Sequence, residues 1–172
     1  MCCKKWDKSQ EEMEDIRTYQ NLGVDGFYYL NKNTQDISVL PLIKPYCLMR
    51  IVDGVWSLDT ESLENELGGI IDPTQYFGVQ NIYIYGYKPY KKGNSGPEFD
   101  VPQKWFLINT EKHTLTYFDT KDTFKAELMK LELTEEFLGP DEIYQSFKEN
   151  PILPWFPEEI KKQMKEAKKK IE

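Results

Sequence analysis

His113 is the only histidine in the chain, and Cys47 is the only cysteine outside the N-terminal pair Cys2-Cys3. A thiol beside an imidazole is a nucleophile with its base, so these two residues are the first place to look for covalent chemistry. Cys47 lies within Tyr46-Cys47-Leu48-Met49, the setting of an apolar strand in which a free cysteine behaves as a small buried hydrophobe with no activated thiol. His113 lies in a turn between Asn109 and Thr114, where a histidine serves as a solvated polar residue. No nucleophilic dyad is expected. Gly-x-Ser-x-Gly, His-Glu-x-x-His, the phosphate-binding glycine loop, the dinucleotide fingerprint, Cys-x-x-Cys and the EF-hand spacing are all absent from the sequence, so no catalytic residue, metal or cofactor is implied.

What remains is the chemistry of recognition. The net charge of -7 is unevenly spread. From residue 51 to residue 87 there is no Lys or Arg, while Asp53, Asp59, Glu61, Glu64, Glu66 and Asp72 supply acids. A second stretch without bases, residues 131–147, holds Glu132, Glu135, Glu136, Asp141 and Glu142, whereas the last fifteen residues carry six Lys against four Glu. Phosphate affinity comes mainly from Lys and Arg, so binding of nucleic acid through this body is not expected. Tyr83, Tyr85, Tyr87 and Tyr90 run along a strand toward a Pro/Gly-rich loop. Tyr83 and Tyr85 are expected in the core. Tyr87 and Tyr90, nearer the loop, combine an apolar ring with a polar tip as interface residues do. The expected partner-binding set is therefore Asp59, Glu61, Glu64, Glu66, Asp72, Tyr87 and Tyr90, facing a basic protein.

The elements that must position these residues follow from periodicity. Ser9 and Glu12 form a capping box for a helix over 9–20. Residues 26–30 and 37–43 read as an opening hairpin, with Pro41 at an edge or bulge, and 46–52 as the next strand. Asp53-Gly54 predicts a tight turn into a strand over 55–58. Asp59 or Thr60 can cap a short helix bearing Leu63 and Leu67. Residues 79–87 are apolar on both phases and predict one central strand, and 88–102 is the longest irregular segment. A hairpin then leads through Asp119-Thr120 into a helix with Phe124, Leu128 and Leu131 on one stripe. The pair Asp119-Thr120 echoes Asp59-Thr60, a hint of two related strand-cap-helix units. Residues 141–149 predict a short helix. Pro157 opens a final one, with acids at its positive end, lysines at its negative end, and Ile160, Met164, Ala167 and Ile171 inward.

With 172 residues, 40% hydrophobic and 30% charged, the chain can bury roughly 70% of its unfolded surface as one globular domain, with residues 1–8 a flexible N-terminal segment. No apolar run reaches membrane-spanning length. Few cysteines point to a reduced cytoplasm by default. Cys2-Cys3 before Lys4-Lys5 is also what a mature envelope lipoprotein would present, so membrane attachment is expected only if Cys2 or Cys3 is lipidated. Nothing in the sequence sets an oligomeric state. The fold class expected is α+β, a mainly antiparallel sheet of about six strands with helices on one face and a C-terminal amphipathic helix.

The segment Trp105-Phe106-Leu107-Ile108-Asn109-Thr110, then Leu115-Thr116-Tyr117-Phe118 and the helix to Leu131, resembles a phrase common in small bacterial immunity proteins of polymorphic toxin systems. It covers under a sixth of the chain and transfers no binding residue. The resemblance implies a non-enzymatic protein that blocks a cognate toxin domain, often through an acidic surface facing a basic nuclease. The alternative left by the residues is an envelope lipoprotein with a structural or ligand-binding role.

Overall fold

A computed structural model describes residues 17–29, 37–51, 54–63 and 69–171. The fold is α+β, but its strands form two antiparallel sheets of four and not one sheet of six. The first contains β1 (Ile37–Pro41), β2 (Cys47–Ile51), β3 (Ser57–Asp59) and β4 (Ile70–Ile71), and the second β5 (Tyr76–Gln80), β6 (Tyr83–Lys88), β7 (Lys104–Asn109) and β8 (Thr114–Phe118), each in sequential order. Helices α1 (Lys121–Lys130), α2 (Pro140–Glu149) and α3 (Glu158–Ile171) follow.

The extra strands arise where turn chemistry was hidden among apolar residues. The single strand expected over 79–87 is a hairpin: β5 ends at Gln80, Asn81 takes φ 54°, and β6 returns from Tyr83. Asparagine visits the left-handed region at little cost, so one residue of that type reverses the chain. Its return strand is central, as expected. The opening hairpin is also replaced. Gly26–Tyr28 is a 3-10 turn capped by the Asp25 carboxylate, which accepts from the Phe27 N–H, and it sends Tyr28 and Tyr29 into the core. Tyr28 meets Phe156 edge-on at 4.7 Å, an arrangement that aromatic pairs favour. The link from β2 to β3 closes on the pair Met49 and Ser57, so it is longer than a two-residue turn; Asp53 lies outside the described residues, as do 1–16, including the expected Ser9 cap. Residues 17–21 are helical. Of the helix expected after Thr60, residues 64–68 lie outside the described residues.

The later elements match their sequence signals. Thr120 caps α1 by accepting from the Thr123 N–H at 3.2 Å, and Phe124 and Leu128 are buried beneath it. Pro140 opens α2, which buries Tyr144 and Phe147. In α3 Met164 and Ala167 are buried, with acids in its first turn and lysines in its last.

Two apolar clusters hold these layers. The larger is lined by Leu40, Leu48, Leu58 and Ile71 from the first sheet, Phe77, Ile84, Phe106 and Ile108 from the second, and α2 and α3. The smaller, Tyr85, Leu107, Phe124, Leu128 and Leu133, lies where α1 covers the other face of the second sheet. The second sheet is therefore covered on both faces, by α1 on one and by the large cluster on the other, because β6 and β7 carry large apolar residues on both phases. Gly86 makes room for this packing: a side chain there would meet the Tyr76 carbonyl oxygen at 2.2 Å and the Phe106 ring at 2.6 Å. The free edge of β5 is closed by Phe77 and Leu138, which exchange both backbone hydrogen bonds.

α2 is fastened to the first sheet by Trp56. Its indole N–H donates to Asp141 Oδ1 at 3.0 Å, its ring meets Tyr144 at 5.3 Å, and the Arg50 guanidinium lies 4.8 Å over it while pairing with the same Asp141 carboxylate.

Candidate docking groove

Alternation along the first sheet sends Leu40, Leu48, Leu58 and Ile71 inward. The opposite phase carries Ile37, Val39, Pro41, Cys47, Met49, Ile51, Ser57, Asp59 and Ile70, of which Val39, Pro41 and Cys47 are buried. A strand that is apolar on both phases needs cover on both faces. The inner face receives it from the large core. Among the described residues the outer face is open at the end away from Val39 and Cys47: Ile51 is 69% exposed, Ile70 58%, Val55 54% and Ile37 40%. These side chains, with Met49, line a concave groove of about 530 Å³. Single exposed apolar residues are ordinary on a soluble surface, whereas a contiguous group around a depression marks a binding site.

One end of the groove is polar. Ser57 Oγ donates to Asp72 Oδ1 at 3.0 Å, and the other oxygen of Asp72 pairs with the Lys91 ammonium from the loop after β6. That loop is ordered by its own contacts. Lys91 and Val101 exchange backbone hydrogen bonds, Tyr90 donates to the Asp100 carboxylate, and the Gly93 N–H donates to Asp100 Oδ1 at 2.8 Å. The first of these side-chain contacts lowers the Asp100 pKa, helped by the Gly93 N–H, and raises that of the Tyr90 phenol.

The expected partner-binding residues are only partly gathered here. Asp72 lies in the groove, and Tyr90 neighbours the lysine that pairs with it. Asp59 shares the outward phase of β3 with Ser57, and its carboxylate accepts the Glu61 N–H at 2.9 Å; Glu61 is exposed in the following turn. Glu64 and Glu66 lie outside the described residues. Tyr87 belongs to another surface, its ring 4.7 Å from Trp105 and its hydroxyl donating to Gln103 Oε1 at 3.0 Å. Several acids of the body are paired within the chain: Asp72 with Lys91, Asp141 with Arg50, and Glu135 with Lys121 and Lys125. The signal that points to the groove is the doubled apolar phase of β1 and β2, not the acid count.

The residues first considered for chemistry are placed otherwise. Burial, then the nearby Asp59 charge, push the Cys47 thiol up to about 12 from an ordinary value near 9.0, so it stays protonated and unreactive. His113 is exposed in its turn, as expected, and its Nδ1 lies 3.0 Å from the hydroxyl of buried Tyr46. Among the described residues no three His, Cys, Asp or Glu side chains converge as a metal site. In the folded chain at pH 8, Cys47 is expected to resist iodoacetamide and to react fully in denaturant, read by mass mapping of its peptide; labelling of the native chain would refute this. Because the folded state disfavours the thiolate, its stabilising effect is complete below about pH 9 and is lost as pH rises toward about 12.

Thr60 departs from the capping role that the sequence offers it. Its side chain is fully buried and among the described residues its hydroxyl has no hydrogen-bond partner, while Asp59 serves the following turn. An unpaired buried hydroxyl is costly, so Thr60→Val is expected to stabilise the chain by about 1 kcal/mol in urea denaturation. A comparable loss of stability would mean that the hydroxyl is satisfied.

Among the described residues no helix is long and apolar enough to cross a membrane. Comparison with protein families, with curated proteins and with solved structures returns no match for this chain.

Proposed function

We propose that this chain is a non-enzymatic protein-binding module that docks a partner in the groove on the outer face of its first sheet. The reading rests on the exposed aliphatic group of Ile37, Ile51, Val55 and Ile70 around one depression, in a chain otherwise rich in charge. Such a surface gains by being covered, at about 25 cal/mol for each Å² removed from water. The covering partner presents an apolar segment flanked by cations. Most of the groove lining comes from residues 51–72, part of the stretch without Lys or Arg whose acids attract a basic chain and repel an acidic one. A basic toxin domain is a partner of this chemistry, and the chain would act as its immunity protein by occupying it.

The test is co-purification with the products of the genes adjoining its own, at low and high salt. Retention of a basic product by the wild-type chain, lost when Ile51→Lys puts a charge in the groove, supports the proposal. Failure to retain any basic product at low salt, or retention indifferent to Ile51→Lys, rejects it. Association should slow as salt screens the acids, while the apolar contact persists.

A further inference from the structure

The two outer edges of the second sheet are treated differently. The edge at β5 is closed by Leu138. At the other edge β8 pairs with β7 alone, and among the described residues no backbone hydrogen bond leaves residues 114–118 on their far side. Proteins normally defend such an edge with charge, proline or a bulge. The strand reads Thr114-Leu115-Thr116-Tyr117-Phe118, with no charge, proline or glycine, regular pairing throughout, and Thr114 and Thr116 exposed. Threonine and aromatic residues are strong strand formers.

We propose that this edge joins two copies of the chain, as an antiparallel β8 pair centred on Thr116. The strand is self-complementary about that residue. Antiparallel pairing sets Thr116 opposite Thr116 of the second copy, Leu115 opposite its Tyr117, and Thr114 opposite its Phe118. Threonine pairs and aromatic-aliphatic pairs are favourable cross-strand neighbours. The match is confined to the strand itself, because the chain leaves the edge at both ends, through the turn at 110–113 and the bend at 119–120. A foreign strand would satisfy the backbone equally but has no such match on this chain. The twofold axis stands perpendicular to the sheet, so the same patch serves both copies and the two sheets of four strands become one of eight. This surface is separate from the groove, and the proposal holds whether or not the groove takes a partner.

The experiment is light scattering after gel filtration on the full chain, from low to high micromolar concentration. The mass of the wild type should double as concentration rises. Thr116→Lys and Thr116→Glu, at an exposed position, should each weaken self-association at least about tenfold by setting like charges across the axis. An equimolar mixture of the two should restore the dimer, since lysine then faces glutamate. Circular dichroism checks folding, and Thr114→Lys, expected to act in the same direction, replaces any variant that fails that check. A wild type that stays monomeric throughout, a dimer indifferent to these substitutions, or folded variants that do not recover on mixing would each overturn the proposal.

Discussion

Replacing both Ile51 and Ile70 by lysine is expected to lower affinity for the groove partner at least about 100-fold while leaving the fold intact. Both side chains point away from the core and are among the most exposed apolar residues of the chain. Truncating a central apolar contact costs about 2 kcal/mol or more at an interface, and each introduced ammonium must also be desolvated against a partner that is itself cationic. Exposed substitutions away from caps and cores usually change stability by less than about 0.5 kcal/mol, so the thermal midpoint should stay nearly fixed. Isothermal titration against the purified partner, with a thermal scan of each variant, separates the two effects. Unchanged affinity would remove the groove from the interface. A collapse of the thermal midpoint would instead make the outer isoleucines structural, and the covering surface would have to come from this chain.

Trp56→Ala should produce the largest loss of stability of any change discussed for this chain, about 3–5 kcal/mol. The indole is nearly fully buried, packs on Tyr144, lies under Arg50 and donates to Asp141. Removing it empties a site between the first sheet and α2, and also leaves the Arg50-Asp141 pair without the ring that supports it. Measured against a usual total of about 5–15 kcal/mol, that loss brings the chain near unfolding. Trp56→Phe keeps much of the packing and forfeits the indole hydrogen bond, so its cost should be clearly smaller. Urea denaturation of both variants checks this, and a loss below about 1.5 kcal/mol for the alanine variant would show that α2 is held by other contacts.

The second half of the fold was legible because its signals are local. The Thr120 cap, the Phe124 and Leu128 stripe, Pro140 and the charge gradient of α3 each act within a turn or two of their own position. The first half was less so. Gly26–Tyr28 is aromatic and resembles a strand, yet Asp25 caps it into a 3-10 turn and the large core takes its rings. Asn81 reverses the chain inside an apolar run, where periodicity alone reads straight through. Division into two sheets is a matter of which strands find each other in space, and no residue states it. For the site, a count of acids along the sequence does not by itself place the groove: Asp72, Glu135 and Asp141 find cations elsewhere in the chain. The apolar outer phase of β1 and β2 was present in the sequence, but it acquires meaning only once Ile37 and Ile51 are seen to lack cover among the described residues.

The separation of the smaller aromatic cluster from the main core has a consequence for motion. α1 and the strip that follows it rest on the second sheet through Tyr85, Leu107, Phe124, Leu128 and Leu133, and none of these residues belongs to the larger cluster. That layer can therefore peel away and return while the remainder keeps its shape, as a cooperative unit with its own opening free energy. Amide hydrogen exchange should then fall into two plateaus, with the α1 amides released together well before those of β6 and β7.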